Sequence, residues 1–346
     1  MGNINSGNKL KAGVIGGRQG ASHAYAYANS EEYELVSVCD LKSEVIDEMW
    51  ERARIEKGSV RTYGDYRDMI DAEDLDVVSV SVPDHVHADP VCDASNAGVK
   101  GIFCEKPLTI NLEDGDRIVE TVQKNGTKMS VDHTRSFVPN YRAGRESIRN
   151  GDLGGLTRIV AHMGGHRSML FRNGTHTVDL ISYFADSRPK WVIAAHEQGF
   201  EDYGTVYKGE GGKDPALDPG STVIIEYENG VRAILNSAKL TPAFHEIDLI
   251  GPSGRILLDD KTSKRWLADK PEGELKEDPS FNYPGYPDFF GDALIPAVKE
   301  LAEMILGNAV SSSPPERARD TLEIMLAALI SQDQGNTRVS LPLPRN

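Results

Sequence analysis

The sequence predicts an α/β chain in which an N-terminal parallel sheet, covered by helices on both faces, precedes a C-terminal α+β domain. The second domain is expected to hold a large, mainly antiparallel or mixed open sheet. Three observations support this. Between residues 10 and 131, short β-branched runs alternate with amphipathic stretches. Beyond about residue 155 strand-like segments dominate, with few helices between them. The length of 346 residues exceeds the usual single-domain size of roughly 100 to 200 residues.

In order, strands are expected at 10–15, 35–39, 77–82, 101–104 and 128–131, and helices at 22–29, 43–57, 88–97 and 112–124. Val77 and Val78 with Val80 and Val82 form the near-continuous apolar run of a strand buried on both faces. Later strands are expected at 157–162, 191–196, 222–227, 231–237, 246–250 and 255–258. Glu228-Asn229-Gly230 and Gly251-Pro252-Ser253-Gly254 carry tight-turn chemistry, so neighbouring strands are joined by hairpins. Helices at 175–184, 292–306 and 315–332 and a last strand at 338–341 complete the pattern. Residues 204–219, rich in Gly, Lys, Asp and Pro, read as a long surface loop or lid. The expected boundaries are a disordered lead-in at 1–8, a dinucleotide-binding domain at 9–133 and a substrate-binding and oligomerisation domain at 134–346.

Composition narrows the function. A net charge of −15 repels nucleic acid and anionic lipid at long range, so neither is an expected partner. No run approaches the roughly 18 apolar residues of a spanning helix. Cys39, Cys92 and Cys104 lie at wide, uneven spacings that form neither a disulfide framework nor a zinc pattern, and favour a reduced, cytoplasmic setting. Small-molecule chemistry is the remaining expectation.

The first strand runs into Gly16-Gly17-Arg18-Gln19-Gly20, a glycine turn opening a helix, where backbone N–H groups and the helix dipole can hold a pyrophosphate. It lacks the residue that separates the first two glycines of G-x-G-x-x-G. Asp40 ends the next strand, 20 residues after Gly20, where an acid accepts hydrogen bonds from the adenosine ribose and opposes a 2′-phosphate. NAD is therefore expected over NADP, with Lys42 nearby as the one group able to soften that preference. Two further strands end at Val82-Pro83-Asp84 and at Cys104-Glu105-Lys106-Pro107, both on the carboxyl edge where open α/β sheets bind ligands.

These residues resemble the glucose-fructose oxidoreductase, inositol dehydrogenase and MocA family. The carriers are the glycine turn, Val82-Pro83-Asp84 with His87, Glu105-Lys106-Pro107, then His133, Arg135, Phe137, Pro139 and Tyr141, His176 with Asp179, and the tail Val339-Ser340-Leu341-Pro342. The resemblance implies a Rossmann domain, a second domain whose open sheet forms the contact of a homodimer or tetramer, and a cis peptide before Pro107. It also implies a cofactor-binding set of Gly16, Gly17, Arg18, Gln19, Gly20, Asp40, Val82, Pro83, His87, Glu105 and Lys106.

In the family pattern, residues at the positions of Lys106 and His176 flank the reacting carbinol. An imidazole titrates near neutrality and can take the hydroxyl proton, while an ammonium stabilises the developing alkoxide. Asp179, one helical turn beyond His176, can orient its ring. The chain departs from the pattern at Arg172, where many dehydrogenases of the family carry an aspartate. An arginine there holds a carboxylate or phosphate bidentately, which points to a sugar acid or phosphate-bearing sugar. A local shift that turns Arg172 to solvent and leaves Asn173 the polar work is the competing reading. Arg135, His162 and His166, with Tyr141 and Tyr283, are further candidates for binding carbohydrate hydroxyls. No metal is expected, since no carboxylate or cysteine joins His162 and His166 at ligand spacing. The function implied is an NAD-dependent oxidation of a secondary hydroxyl on a sugar, sugar acid or cyclitol. The alternatives are a lyase or hydrolase working through transient oxidation with bound NAD, and a non-catalytic cofactor-sensing protein.

Overall fold

A computed structural model describes residues 9–207 and 214–345. The expected lead-in at 1–8 and residues 208–213 of the expected loop lie outside the described residues. The chain divides into two compact units, one built from the chain up to Phe137 with Pro287–Arg319, the other from Val138–Tyr286 with the chain from Asp320 onward.

The first unit contains β1 (Leu10–Ile15), α1 (Gly20–Ala28), β2 (Tyr33–Cys39), α2 (Ser43–Arg52), β3 (Arg61–Tyr63), α3 (Tyr66–Ala72) and β4 (Val77–Val80). These are followed by α4 (Ala88–Asn96), β5 (Gly101–Cys104), α5 (Leu112–Asn125) and β6 (Lys128–Val131). The six strands lie in the order β3-β2-β1-β4-β5-β6, and every pairing is parallel. This is the doubly wound dinucleotide-binding order, with the switch point between β1 and β4. Alternate residues of each strand bury on opposite faces: Ala12, Val14, Val77 and Phe103 pack in one core, and Ile15, Val78, Ile102 and Cys104 in the other.

The second unit holds α6 (Pro139–Arg149), β7 (Arg158–Gly164), α7 (Gly174–Ala185), β8 (Pro189–His196), β9 (Ser221–Tyr227), β10 (Arg232–Ala238) and β11 (Phe244–Gly251). Then come β12 (Gly254–Asp259), β13 (Ser263–Leu267) and β14 (Lys276–Glu277). After α8 (Phe290–Ile305) and α9 (Pro315–Asp333), β15 (Val339–Ser340) adds the last strand. The nine strands run β14-β13-β12-β11-β7-β10-β9-β8-β15. Only β7 and β10 pair in parallel, so the sheet is mixed, as expected. One face carries buried Ile159, Ala161, Leu235 and Leu249, against which α6 and α7 pack.

Several elements differ from the sequence expectation. The β3–α3 pair, α6, β13 and β14 were not expected, because β3 and β14 are short and exposed and α6 has a markedly polar outer face. The strand expected at 77–82 stops at Val80, Ser81 N–H donating to the Ile15 carbonyl before the chain bends at Val82 into Pro83. The largest difference concerns α8, which lies within the expected 134–346 domain in sequence but packs in the first unit on α1, β5 and β6. Its Leu294, Ala297, Val298 and Leu301 bury in the same core as Val14 and Phe103, a long-range partnership that no local pattern encodes. The segment 204–219 is also not wholly surface: Tyr207 and Asp218 are buried.

Candidate active site

The first unit gathers the expected cofactor-binding residues on the carboxyl edge of its sheet. Gly16 follows β1 with φ +93°, and a Cβ there would sit 2.3 Å from the Ser81 carbonyl oxygen. Only glycine permits both this conformation and the close approach of the β1 and β4 tips. Its N–H donates to the Cys39 carbonyl (2.7 Å), while Ser81 N–H donates to the Ile15 carbonyl (2.8 Å). A Cβ at Gly20 would meet Val14 Cγ1 at 2.7 Å, which seats α1 directly on β1.

Arg18 and Gln19 are exposed at the mouth of α1, which has no side-chain cap at Gln19 and no acid in its first turn. That uncapped terminus fits a dinucleotide pyrophosphate. Asp40 stands at the tip of β2, with Oδ2 accepting Gly17 N–H (2.8 Å) and Oδ1 accepting Lys42 N–H (3.0 Å). Each carboxylate oxygen retains a lone pair for a ribose hydroxyl. Gly17 N–H is thereby committed to Asp40, and the N–H groups left to meet a phosphate begin at Arg18.

Val82 is half-buried and Pro83 exposed, but His87 is buried. Its Nε2 faces the Val82 carbonyl (2.9 Å) and its Nδ1 the Pro107 and Leu108 carbonyls (both 3.1 Å). The ring therefore braces the β4 tip against the Lys106 turn. The Lys106–Pro107 peptide is cis, and Lys106 is half-buried. Glu105 folds back on this turn, its Oε2 accepting Lys106 N–H (3.1 Å). Its Oε1 lies 3.4 Å from His23 Nε2, and Asp132 Oδ2 lies 3.7 Å from the same nitrogen. All three residues are buried. Burial alone would push the His23 imidazolium toward the neutral form, but Asp132 and Glu105 outweigh it and raise the group to about 9. Burial also favours the neutral form of Asp132, reinforced by the neighbouring Glu105 charge. Although no metal was expected, ligand-type atoms of His23, Glu105 and Asp132 lie within 4.8 Å of one another. Arg135, half-buried, follows on the short helical turn Thr134–Phe137.

The second unit positions the remaining candidates. The turn between β7 and α7 carries exposed His166, half-buried Arg172 and Asn173, then His176 in the first turn of α7. Gly174 N–H donates to the Met169 carbonyl (2.8 Å), and a Cβ at Gly174 would lie 2.9 Å from that oxygen. The chain therefore turns tightly from Met169 into the first turn of α7. Asp179, one turn along α7, is fully buried.

Asp218, which the loop reading of the sequence passed over, holds this turn from beneath. Its carboxylate accepts Phe171 N–H on both oxygens (3.1 Å each) and Arg172 N–H (2.9 Å). Leu170 N–H donates to the Pro219 carbonyl (2.8 Å). The Phe171 ring stacks on Tyr207 at 4.1 Å. Burial pushes the Asp218 carboxyl up to about 7 against the pull of these donors. The signal available in the sequence was Asp218-Pro219-Gly220 directly before a strand.

His162 does not join this group. It is exposed on β7 and alternates with Ala161 and Met163, which face α7. It lies instead on the opposite face of the sheet, across from Asn236 and Glu246. Tyr141 is buried and donates to Asp260 Oδ1 (2.8 Å), so it belongs to the interior of its unit, whereas Tyr283 is exposed.

Comparison with known proteins agrees with this architecture. Residues 10–133 match the family described as oxidoreductase, NAD-binding Rossmann fold. Inositol 2-dehydrogenase from Salmonella typhimurium is 34% identical over 148 residues, 42% of this chain and 43% of that protein. The chain thus matches less than half the length of that relative. Myo-inositol 2-dehydrogenase from Thermotoga maritima is 26% identical over 257 residues, 72% of this chain and 75% of that protein. A levoglucosan dehydrogenase solved with NADH and levoglucosan shares the fold, with TM-score 0.77 at 19% identity over 97% of this chain and 100% of that one. Residues 10–133, with their glycine turn, Asp40 and Glu105-Lys106-Pro107, thus match the NAD-binding Rossmann fold of the oxidoreductase family that takes its name from glucose-fructose oxidoreductase, inositol dehydrogenase and MocA.

Proposed function

We propose that the chain is an NAD-dependent dehydrogenase that oxidises a secondary hydroxyl of a sugar, sugar acid or cyclitol. The observation that carries this reading is the Lys106 turn, braced by His87 and Glu105, on the same sheet edge as Asp40 and the uncapped start of α1. Relatives named as inositol dehydrogenases, and a neighbour bound to NADH and levoglucosan, support the substrate class. A bound nicotinamide supplies the hydride acceptor. On this reading His176 takes the hydroxyl proton and Lys106 stabilises the alkoxide. Asp40 favours NAD, because a 2′-phosphate would stand against its carboxylate.

Arg172 supports an acidic substrate. Arg167 lies close enough that burial and the Arg172 charge together lower its pKa, so two guanidinium groups share one turn. A carboxylate or phosphate on the sugar would relieve that repulsion. Self-association as a dimer or tetramer fits the sheet face opposite α7, where Ile234 and Phe244 are exposed. Among the described residues no helix is long and apolar enough to cross a membrane. The buried free thiols of Cys39, Cys92 and Cys104 suit a reducing, cytoplasmic setting.

Steady-state kinetics of His176→Asn and Lys106→Met test the assignment. Each is expected to lower kcat by about a hundredfold or more, the scale of a lost proton-transfer or charge-stabilising group, with NADH affinity unchanged in His176→Asn. Near-wild-type kcat in both variants would remove these residues from the chemistry.

A further inference from the structure

His23 stands outside the expected cofactor and substrate residues, yet it joins Glu105 of the Lys106 turn in a buried cluster. His23 lies three residues beyond Gly20 in the first turn of α1. Its Nδ1 pairs with Ser79 Oγ on β4 (3.1 Å), which in turn pairs with the Tyr27 hydroxyl (2.9 Å). Its ring packs on Phe103 of β5 at 4.8 Å. Its Nε2 faces Glu105 and Asp132, beyond the tips of β5 and β6. Asp132 is fixed by its own N–H to the Cys104 carbonyl (2.8 Å) and by Thr134 Oγ1 on Oδ1 (2.7 Å). One imidazole therefore ties the helix that opens at the cofactor turn to the strand tip that presents Lys106.

The surroundings decide the protonation state. A bare Nε2 lone pair would face two carboxylates, at 3.4 and 3.7 Å. A neutral Nε2–H would satisfy one acid and leave the cluster's full negative charge buried. An imidazolium places both a donor and a positive charge at this point, and burial makes an uncompensated carboxylate there costly. The remaining facing groups are the Ser79 and Tyr27 hydroxyls, the Cys104 thiol, Thr134, and the Lys106 charge acting on Glu105.

We propose that His23 is a positioning residue, an imidazolium held between two buried carboxylates that keeps Glu105 ionised and folded onto Lys106 N–H, so that the Lys106 turn holds its shape at neutral pH. This deepens the reading above and rests on Lys106 as the group facing the reacting hydroxyl. Without the His23 charge, Glu105 and Asp132 share a buried site as two neighbouring acids, one of them takes up a proton, and Glu105 loses its hold on the turn.

Two measurements on the full chain test this separately. Nitrogen-15 histidine NMR of the nine histidines is expected to show one ring protonated on both nitrogens at pH 8 that disappears in His23→Gln. Absence of such a ring, its survival in His23→Gln, or a stoichiometric divalent metal with a neutral His23 would overturn the proposal whatever the reaction proves to be. In kinetics, His23→Gln is expected to lower kcat/KM by about tenfold or more, the scale on which partners of a functional group act. It should also move the acid limb of the profile up by about one pH unit. Combining His23→Gln with Glu105→Gln should cost little beyond Glu105→Gln alone, and additive losses or an unmoved acid limb would refute the coupling to Lys106. Should His23→Gln not fold, Ser79→Ala, which removes the Nδ1 partner, is expected to move the same limb in the same direction. No movement in that variant counts against the proposal.

Discussion

Replacing Gly16 with alanine tests whether the β1–β4 approach builds the cofactor end. Two costs add. An L-residue at φ +93° loses roughly 1–2 kcal/mol, the penalty of left-handed backbone. The new Cβ would lie 2.3 Å from the Ser81 carbonyl oxygen and 2.6 Å from its carbon, both backbone atoms that cannot rotate away. Relieving this requires a shift of about 1 Å between the two strand tips, an overpacking cost of about 1–3 kcal/mol. The total is about 2–5 kcal/mol. Gly58 supplies the control, since its φ is +81° and an added Cβ meets nothing within 4 Å. Gly58→Ala should therefore lose only the backbone cost of about 1–2 kcal/mol. Urea unfolding measures both losses, and fluorescence titration with NADH measures affinity. Gly16→Ala is expected to weaken NADH binding by about tenfold or more, equal to 1.4 kcal/mol, while Gly58→Ala leaves it unchanged. Equal stability losses in the two variants, or unchanged NADH affinity in Gly16→Ala, would refute the close-approach argument.

Three further outcomes follow from the second unit and from Asp40. The Asp218 carboxyl stands at about 7 against an ordinary 3.8, so its neutral form stabilises the fold fully below pH 3.8 and that stabilisation is lost as pH rises through about 7. The difference corresponds to about 4 kcal/mol. Urea unfolding at pH 5 and pH 8 should therefore show a steeper loss for the native chain than for Asp218→Asn, and parallel losses would contradict it. Arg172→Ala should lower kcat/KM on acidic sugars by about 10- to 100-fold, the worth of a charge-assisted hydrogen bond, and change neutral sugars little. Equal losses on both would end the anion reading. Asp40→Ser should narrow the NAD-over-NADP preference by about tenfold as the repelling carboxylate leaves, with an unchanged ratio as the contrary result.

Much of the first unit was legible because its strands are buried on both faces. β1, β5 and β6 fall where the apolar runs of residues 10–15, 101–104 and 128–131 place them. The partners of distant elements were not legible: α8 falls at the helix expected over 292–306, but reaches its core only by crossing back to β5 and β6. The sheet-edge residues Gly16, Asp40 and Lys106 were recognisable from spacing, since each ends a strand. His23 was not, because its partners Ser79, Glu105 and Asp132 are scattered along the chain and meet only when α1 packs on β4. Asp218 was hidden in a segment whose composition reads as solvent loop, while its carboxylate bonds inward to Phe171 and Arg172. The face that His162 occupies was legible. Its alternation with Ala161 and Met163 already assigns it to the far face of the sheet.

The central claim is that the chain oxidises a carbohydrate hydroxyl with NAD as a net acceptor. Following reduced-nicotinamide absorbance during turnover, across a panel of cyclitols, neutral sugars and sugar acids, tests it most directly. The account predicts one equivalent of NADH for each equivalent of ketone formed, abolished together with the product in His176→Asn. Product formed without net NADH would contradict it and identify an enzyme that oxidises only transiently.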